Sequence, residues 1–227
     1  LVGSEMCIRD SGMRNAAAVN LLNPAAYSAV RPKSFLFDFG LEGQCFYNSQ
    51  KYYGQTLNTS YYTVNFHDIA FQLPIAKHLG LGFSLTPYSS VGYRMKQEVD
   101  DDEIWGNIGR VQYQWDGDGD VTEVKLGLGW EIFRGFSIGI AAQYYWGDIQ
   151  RIYKTAILEN ITGGGLIADA TGTETYSVSR FKGQFGVQWS PISNRRRILT
   201  IGATYDIGGD LNPNVTTKVQ TGDIFNT

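Results

Sequence analysis

Residues 121–146 read VTEVKLGLGWEIFRGFSIGIAAQYYW, and the alternation in this stretch decides the fold. In its first half Val124, Leu126, Leu128, Trp130 and Ile132 share one parity, against Glu123, Lys125, Gly127, Gly129 and Glu131. In the second half Phe136, Ile138, Ile140, Ala142, Tyr144 and Trp146 oppose Ser137, Gly139, Ala141, Gln143 and Tyr145. Successive side chains of a strand point to opposite faces, so each half has one apolar face and one small or polar face. Only Arg134 and Gly135 separate Phe133 from Phe136, which predicts a tight antiparallel hairpin. Each arm reaches the roughly 9–11 residues that a strand needs to cross a bilayer.

Composition agrees with a β protein. The chain has 227 residues, 18% of them charged, a net charge of −3, and 27 Gly, 14 Tyr, 12 Phe and 5 Trp against 6 Pro. This fits one domain or a piece of one and excludes the basic signature of a nucleic-acid binder. No run approaches the 18 or so apolar residues of a membrane helix, so any crossing must use strands. Residues 1–11, LVGSEMCIRDS, resemble a translated sequencing-adapter fragment and are set aside, with the expectation that the true start and any signal peptide are missing. Cys45 is then the one native cysteine, which excludes an internal disulfide.

Outward from the hairpin, residues 12–33 lack period two and are broken by Pro24 and Pro32, which predicts irregular or briefly helical chain. Residues 34–46 form a first strand with Phe35, Phe37, Phe39 and Leu41 on one face. Residues 61–73 form a second whose phase slips near His67 and Asp68, where one extra residue in a bulge restores it. Residues 79–95 alternate through Pro87, where a kink or local break is expected because proline cannot donate to a ladder. Residues 181–189 and 199–207 close the strong signals.

Connections alternate between long polar ones (47–60; 96–120, with room for a small hairpin arm at Val111 to Trp115; 154–174) and short ones (74–78, 134–135, 190–197), the asymmetry of outer-membrane barrels. Trp130, Phe136 and Trp189 lie beside short turns, and Tyr144, Tyr145, Trp146 and Tyr205 toward the long loops, as two aromatic girdles would. The turn at Arg134-Gly135 is thereby assigned to the periplasmic side, the apolar faces to lipid, and Lys125, Glu131 and Gln143 to the lumen. Seven strong strands are counted, an odd number where closed single-chain barrels have an even one, and truncation at both ends is the expected reason. Such a fragment cannot close, and the sheet should keep two unpaired edges.

Three segments carry a resemblance. Asn23-Pro24-Ala25-Ala26-Tyr27, SFLFDFG at 34–40 and PYSSVGY at 87–93 resemble the FadL-type outer-membrane transport family in the versions seen in Bacteroidetes, over roughly residues 12–227. The resemblance implies a Gram-negative outer-membrane barrel of about fourteen strands, of which some seven or eight are present here, with an N-terminal hatch in its lumen. It divides the chain into 1–11 (adapter-derived), 12–33 (hatch remnant) and 34–227 (barrel lacking its last strands). It also implies passive uptake of hydrophobic small molecules, such as long-chain fatty acids or aromatic hydrocarbons, through a wall opening at a kink in the third strand. Carried onto this sequence, the substrate path is Asn23 and Pro24 in the hatch and Pro87, Tyr88, Ser89 and Ser90 at the kink.

Other chemistry is thin. Asp116, Asp118 and Asp120 resemble a calcium loop but lack its twelfth-position Glu and read as a turn. Asp100 to Glu103 read as a solvated loop, and Gly163 to Gly165 lack the lysine of a phosphate loop. His67 and His78 have no metal-ligand spacing, and no nucleophile, base and orienting acid stand together. The inward polar residues Asp38, Glu42, Arg94, Lys125, Glu131 and Lys182 read first as a wet lumen and second as selectivity determinants.

The expectation is therefore an all-β transmembrane antiparallel barrel, not an enzyme, with no cofactor and no metal. It passes apolar ligand across the outer membrane, in contact with bilayer and lipopolysaccharide. Two alternatives stand: a barrel scaffold or shuttle for a secreted-protein partner, and a soluble β-sandwich adhesin or lectin.

Overall fold

The computed structural model describes residues 11–52, 55–99, 110–159, 169–194 and 197–222. A 3-10 helix, Pro24–Ala29, precedes eight strands: β1 Leu36–Tyr52, β2 Gln55–Ala76, β3 Leu79–Val99, β4 Arg110–Phe133, β5 Phe136–Glu159, β6 Asp169–Asn194, β7 Arg197–Ile207 and β8 Asn214–Gly222. They form one antiparallel sheet in the order β1-β2-β3-β4-β5-β6-β7, with β8 paired to β6. β7 pairs with Gly183–Asn194 of β6 and β8 with Asp169–Ser177, so both occupy successive stretches of one edge. The sheet does not close: β1 stands at its other edge. No helix among the described residues is long and apolar enough to cross a membrane.

The strands divide into two compact units, the first drawn from residues up to 87, 123–144 and 181–209, and the second from 88–122, 145–180 and 210 onward. In the first unit the alternation of the opening hairpin is realised. Lys125, Gly127, Gly129, Ser137, Gly139, Ala141 and Gln143 are buried, while Leu126, Leu128, Trp130, Ile132 and Ile140 are exposed. Trp130 keeps 52% of its surface and Ile140 53%, values unlike any water-soluble core. Gly135 turns the chain at φ 86, a conformation that glycine adopts without strain. Aromatic rings extend the apolar face across strands, with Phe71 stacked on Phe83 at 4.8 Å and Phe133 on Phe136 at 4.8 Å.

The second unit is arranged the other way round. Val121, Tyr145 and Val178 are buried together, with Ile149 and Leu211 packed against them, whereas Asp118, Asp120, Asp148 and Gln150 are exposed. This unit thus holds a small apolar cluster, while Met95 on β3 and Val215 and Val219 on β8 stay exposed.

Several sequence expectations need correction. Residues 47–52, 55–60, 96–99, 116–120, 154–159 and 169–174 are strand rather than loop: β1 runs to Tyr52, β3 to Val99 and β5 to Glu159, and the arm read at Val111 to Trp115 is part of β4, which passes through DGDGD. Asparagine, glutamine, threonine, aspartate and glycine dominate most of those stretches, so period two is weak in them. Asp116, Asp118 and Asp120 therefore form no turn, and Gly117 instead lies under the Tyr93 ring. β8 was missed for the same reason, since its threonines and lysine hide the alternation of Val215 and Val219. The bulge is where the phase slip put it: Gly40 pairs with Asp68 and Leu41 with Phe66, leaving His67 as the extra residue. β3 is continuous through Pro87. What stops short of the proline is the β2–β3 ladder, which ends at Ile69 and Leu85. Cys45 is exposed and free. Asp100 to Glu103, Gly163 to Gly165, Arg195 and Arg196 lie outside the described residues.

Candidate functional site

The most deeply buried part of the first unit is the segment before β1. Asn23 and Ala25 are fully buried, with Ala26, Tyr27 and Ser28 nearly so. Asn23 caps the 3-10 helix by accepting a hydrogen bond from the Ala25 amide at 3.0 Å, and Pro24 follows at the first helical position, where no amide is needed. Its Nδ2 donates to the carbonyls of Ser11 at 2.8 Å and Val187 at 3.2 Å. One side chain thus shapes the helix and ties it to β6.

The floor under this segment is glycine. A Cβ at Gly80 would collide with the Tyr27 carbonyl, at Gly82 it would lie 2.6 Å from the Tyr27 ring, and at Gly127 2.8 Å from it. At Gly129 and Gly139 it would strike the backbone of Pro24 and Ala25, and at Gly186 the Asn23 side chain. Glycines on β3, β4, β5 and β6 so let a second layer of backbone approach within contact distance of the sheet.

Polar side chains close the edges of the seat. Lys125, 5% exposed, donates to the Leu21 carbonyl at 2.8 Å and lies 3.4 Å from Glu123, which accepts from Gln143 Nε2 at 3.1 Å. Gln72 donates to the Asn20 carbonyl at 3.2 Å, and Gln188 to the carbonyls of Ser11 and Met13 at 3.0 and 3.1 Å. Arg14 Nη1 donates to Ser137 Oγ at 2.7 Å and Ser28 Oγ at 3.1 Å, with its Nη2 3.7 Å from Glu131. Burial lowers the Arg14 pKa, an effect that Glu131 partly offsets. Burial first, then the Glu123 carboxylate, holds the Tyr27 hydroxyl well above the ordinary phenol range.

Of the residues singled out by sequence, Asn23, Pro24, Lys125 and Glu131 meet here. Asp38 and Glu42 sit exposed on β1. Lys182 is partly exposed beside Gly208. Arg94 does not line the buried face: it pairs with Asp116 at 3.0 Å and its side chain is 73% exposed. Tyr88 packs edge-on against Tyr145 at 5.0 Å and Tyr93 covers Gly117. Both rings stay partly exposed, Tyr88 at 53% and Tyr93 at 37%. Pro87, Ser89 and Ser90 are exposed on β3. His67 contacts Asp68 at 2.7 Å and His78 contacts Glu131 at 3.1 Å. Among the described residues no group of His, Cys, Asp and Glu is arranged to hold a metal. The glycine floor and the roles of Arg14, Gln72 and Gln188 went unread in the sequence; the recurrence of glycine at buried parity on four strands was the available signal.

An antiparallel sheet with an apolar outer band and a small, polar inner face under an N-terminal segment is the arrangement of an outer-membrane-related β protein. The chain belongs to the BamG family, whose model matches residues 9–227. That family is related to the outer-membrane assembly machinery, which associates the chain with the outer membrane. Neither the curated proteins nor the solved structures contain a match. The resemblance to the FadL-type family is thereby overturned, since BamG is a distinct family. The motifs quoted for it answer structural needs: Asn23 to Tyr27 fit a segment seated on a sheet of glycines, and SFLFDFG is an alternating strand.

Proposed function

We propose that this chain forms wall strands of an integral outer-membrane β-barrel and serves the assembly machinery as a docking scaffold that transports nothing. The observation that carries this reading is the occupied inner face of the first unit. Its floor is covered from Asn20 to Val30 by a segment held through backbone contacts and buried hydrogen bonds, where a channel needs free space. Membership of the BamG family supports the same direction. The apolar outer band supports insertion: from Phe136 to Trp146 it is the length that a crossing strand requires, and it ends in rings at both ends.

Full-length protein isolated by affinity tag from native membranes in mild detergent should bring the assembly machinery with it. Reconstituted in liposomes, it should leave uptake of a labelled long-chain fatty acid at the level of empty vesicles. Uptake above that level with no co-isolated machinery would overturn the reading.

Insertion has its own test. Arg in place of Leu128, near the middle of the outer band, should cost about 2–4 kcal/mol, the penalty for a cation facing lipid at the bilayer midplane. The heat-modifiable, folded gel band should shrink accordingly. Lys in place of Asp118, exposed in the second unit, should change stability by less than about 0.5 kcal/mol. Equal folding of both variants would mean that the apolar band does not face lipid.

A further inference from the structure

The short connections of the first unit carry cations. Arg31 precedes β1, Lys77 and His78 join β2 to β3, and Arg134 joins β4 to β5. They surround an open cavity of about 800 Å³ whose wall also includes Arg14 and Glu131. Glu131 is the one carboxylate in that wall, and it is already engaged, by His78 at 3.1 Å, Arg14 at 3.7 Å and the Gly135 amide at 3.0 Å. Among the described residues no carboxylate lies within ion-pairing distance of Arg31, Lys77 or Arg134. The turns that bear them share a frame. The Glu131 amide donates to the His78 carbonyl at 2.8 Å and the Ser190 amide to the Gly135 carbonyl at 2.6 Å.

We propose that this cavity is the docking site for an acidic polypeptide segment of a partner protein, with Arg31, Lys77 and Arg134 receiving its carboxylates. The inference rests on the scaffold reading and assigns it a site. Three cations that no described carboxylate pairs line one cavity, and hydrogen bonds between the turns hold the backbones of Lys77 and Arg134 near each other, so a segment with several carboxylates can offset the cost of ordering their side chains. The chain as a whole is acidic, with net charge −3, so long-range attraction does not draw an anion here and the local cluster must select it. A polypeptide is favoured over a lipid headgroup because the cavity wall includes Arg14 and Ser28, which belong to the polar inner side, not to the apolar outer band. Its volume suits a few side chains of an extended segment.

The test uses full-length protein in detergent micelles and fluorescein-labelled octaglutamate as probe. Binding should weaken about tenfold in the R31E/K77E/R134E protein and about threefold in R134E alone, and should fall as salt rises. The R31K/R134K protein should keep most of the affinity, which separates charge from folding. Equal affinity in wild type and triple variant would overturn the proposal. So would failure of octaglutamate to bind while phosphatidylglycerol nanodiscs do, which would assign the cluster to lipid. Co-isolation with the machinery is read separately. If octaglutamate binds as expected but no machinery co-isolates, the scaffold reading fails and the cavity stands as an anion site. If the machinery co-isolates equally with both proteins, the scaffold stands and this docking site falls.

Discussion

Leucine in place of Gly139 is expected to expel the segment from Asn23 to Ser28 from its seat. A Cβ at that position would meet the Ala25 amide nitrogen and the Pro24 carbonyl group. Both are backbone atoms in a capped turn, so no rotamer change relieves the overlap, and a longer side chain worsens it. Displacement would uncover Tyr27, now 2% exposed, and strand the groups that bond the segment, Arg14 at Ser28 and the Val187 carbonyl at Asn23. The expected loss is about 3–5 kcal/mol, the scale of emptying a large aromatic site from a core. It is read as a fall in the unfolding midpoint together with new protease cleavage within residues 12–33. Valine in place of Gly43, where an added Cβ has nothing within 4 Å, is the matched control and should change neither. A Gly139→Leu protein whose N-terminal segment stays as protease-resistant as wild type would show that the glycine floor is not what holds it.

The second large effect concerns Lys125. Its ammonium bonds to the Leu21 carbonyl and pairs with Glu123 at 3.4 Å in a setting with little water, the two side chains being 6% and 12% exposed. Methionine keeps the length and apolar stem of lysine but leaves the Glu123 carboxylate with Gln143 as its hydrogen-bond partner among the described residues, and the Leu21 carbonyl without its ammonium donor. Removing one member of a buried pair costs about 3–5 kcal/mol, because the other charge stays desolvated. Replacing both, as E123Q/K125M, should recover most of that loss. The denaturant midpoints of the two proteins decide it: if the double variant is no more stable than K125M, the cost is lost packing against Leu21 and not the isolated charge.

How much of this was legible follows from what each residue faces. Between Val124 and Tyr144 two different surroundings lie on the two sides of each strand, so selection writes them as alternation and the sequence returns the strands, their turn and which parity is buried. Where glycine and polar residues fill both parities, as at DGDGD, the same backbone leaves no hydrophobic period and reads as loop. The glycine floor lay open in the sequence, yet its purpose depends on contacts more than a hundred positions away: Lys125 and Leu21 are separated by 104 residues. Pattern within a strand cannot reveal what lies on top of it. Asn23 to Tyr27 was noticed and then misassigned, because a segment that plugs a sheet looks alike whatever the protein does.

The extra residue at His67 shows how such a wall tolerates change. Below it, Ile69, Phe71 and Leu73 carry the apolar side of β2, and above it Phe66, Val64 and Tyr62 do, so odd numbers hand over to even ones at a single point. Phe39 and Phe66, on either side of the handover, still meet at 6.4 Å. His67 therefore acts as a parity bit for the strand. Losing one residue elsewhere in the upper half of β2 could be repaired by flattening this bulge, with every greasy side chain kept outward, whereas β5, with no such spare residue between Phe136 and Trp146, would be turned inside out by the same deletion. Length variation among relatives should accordingly gather on β2 and spare the hairpin of β4 and β5.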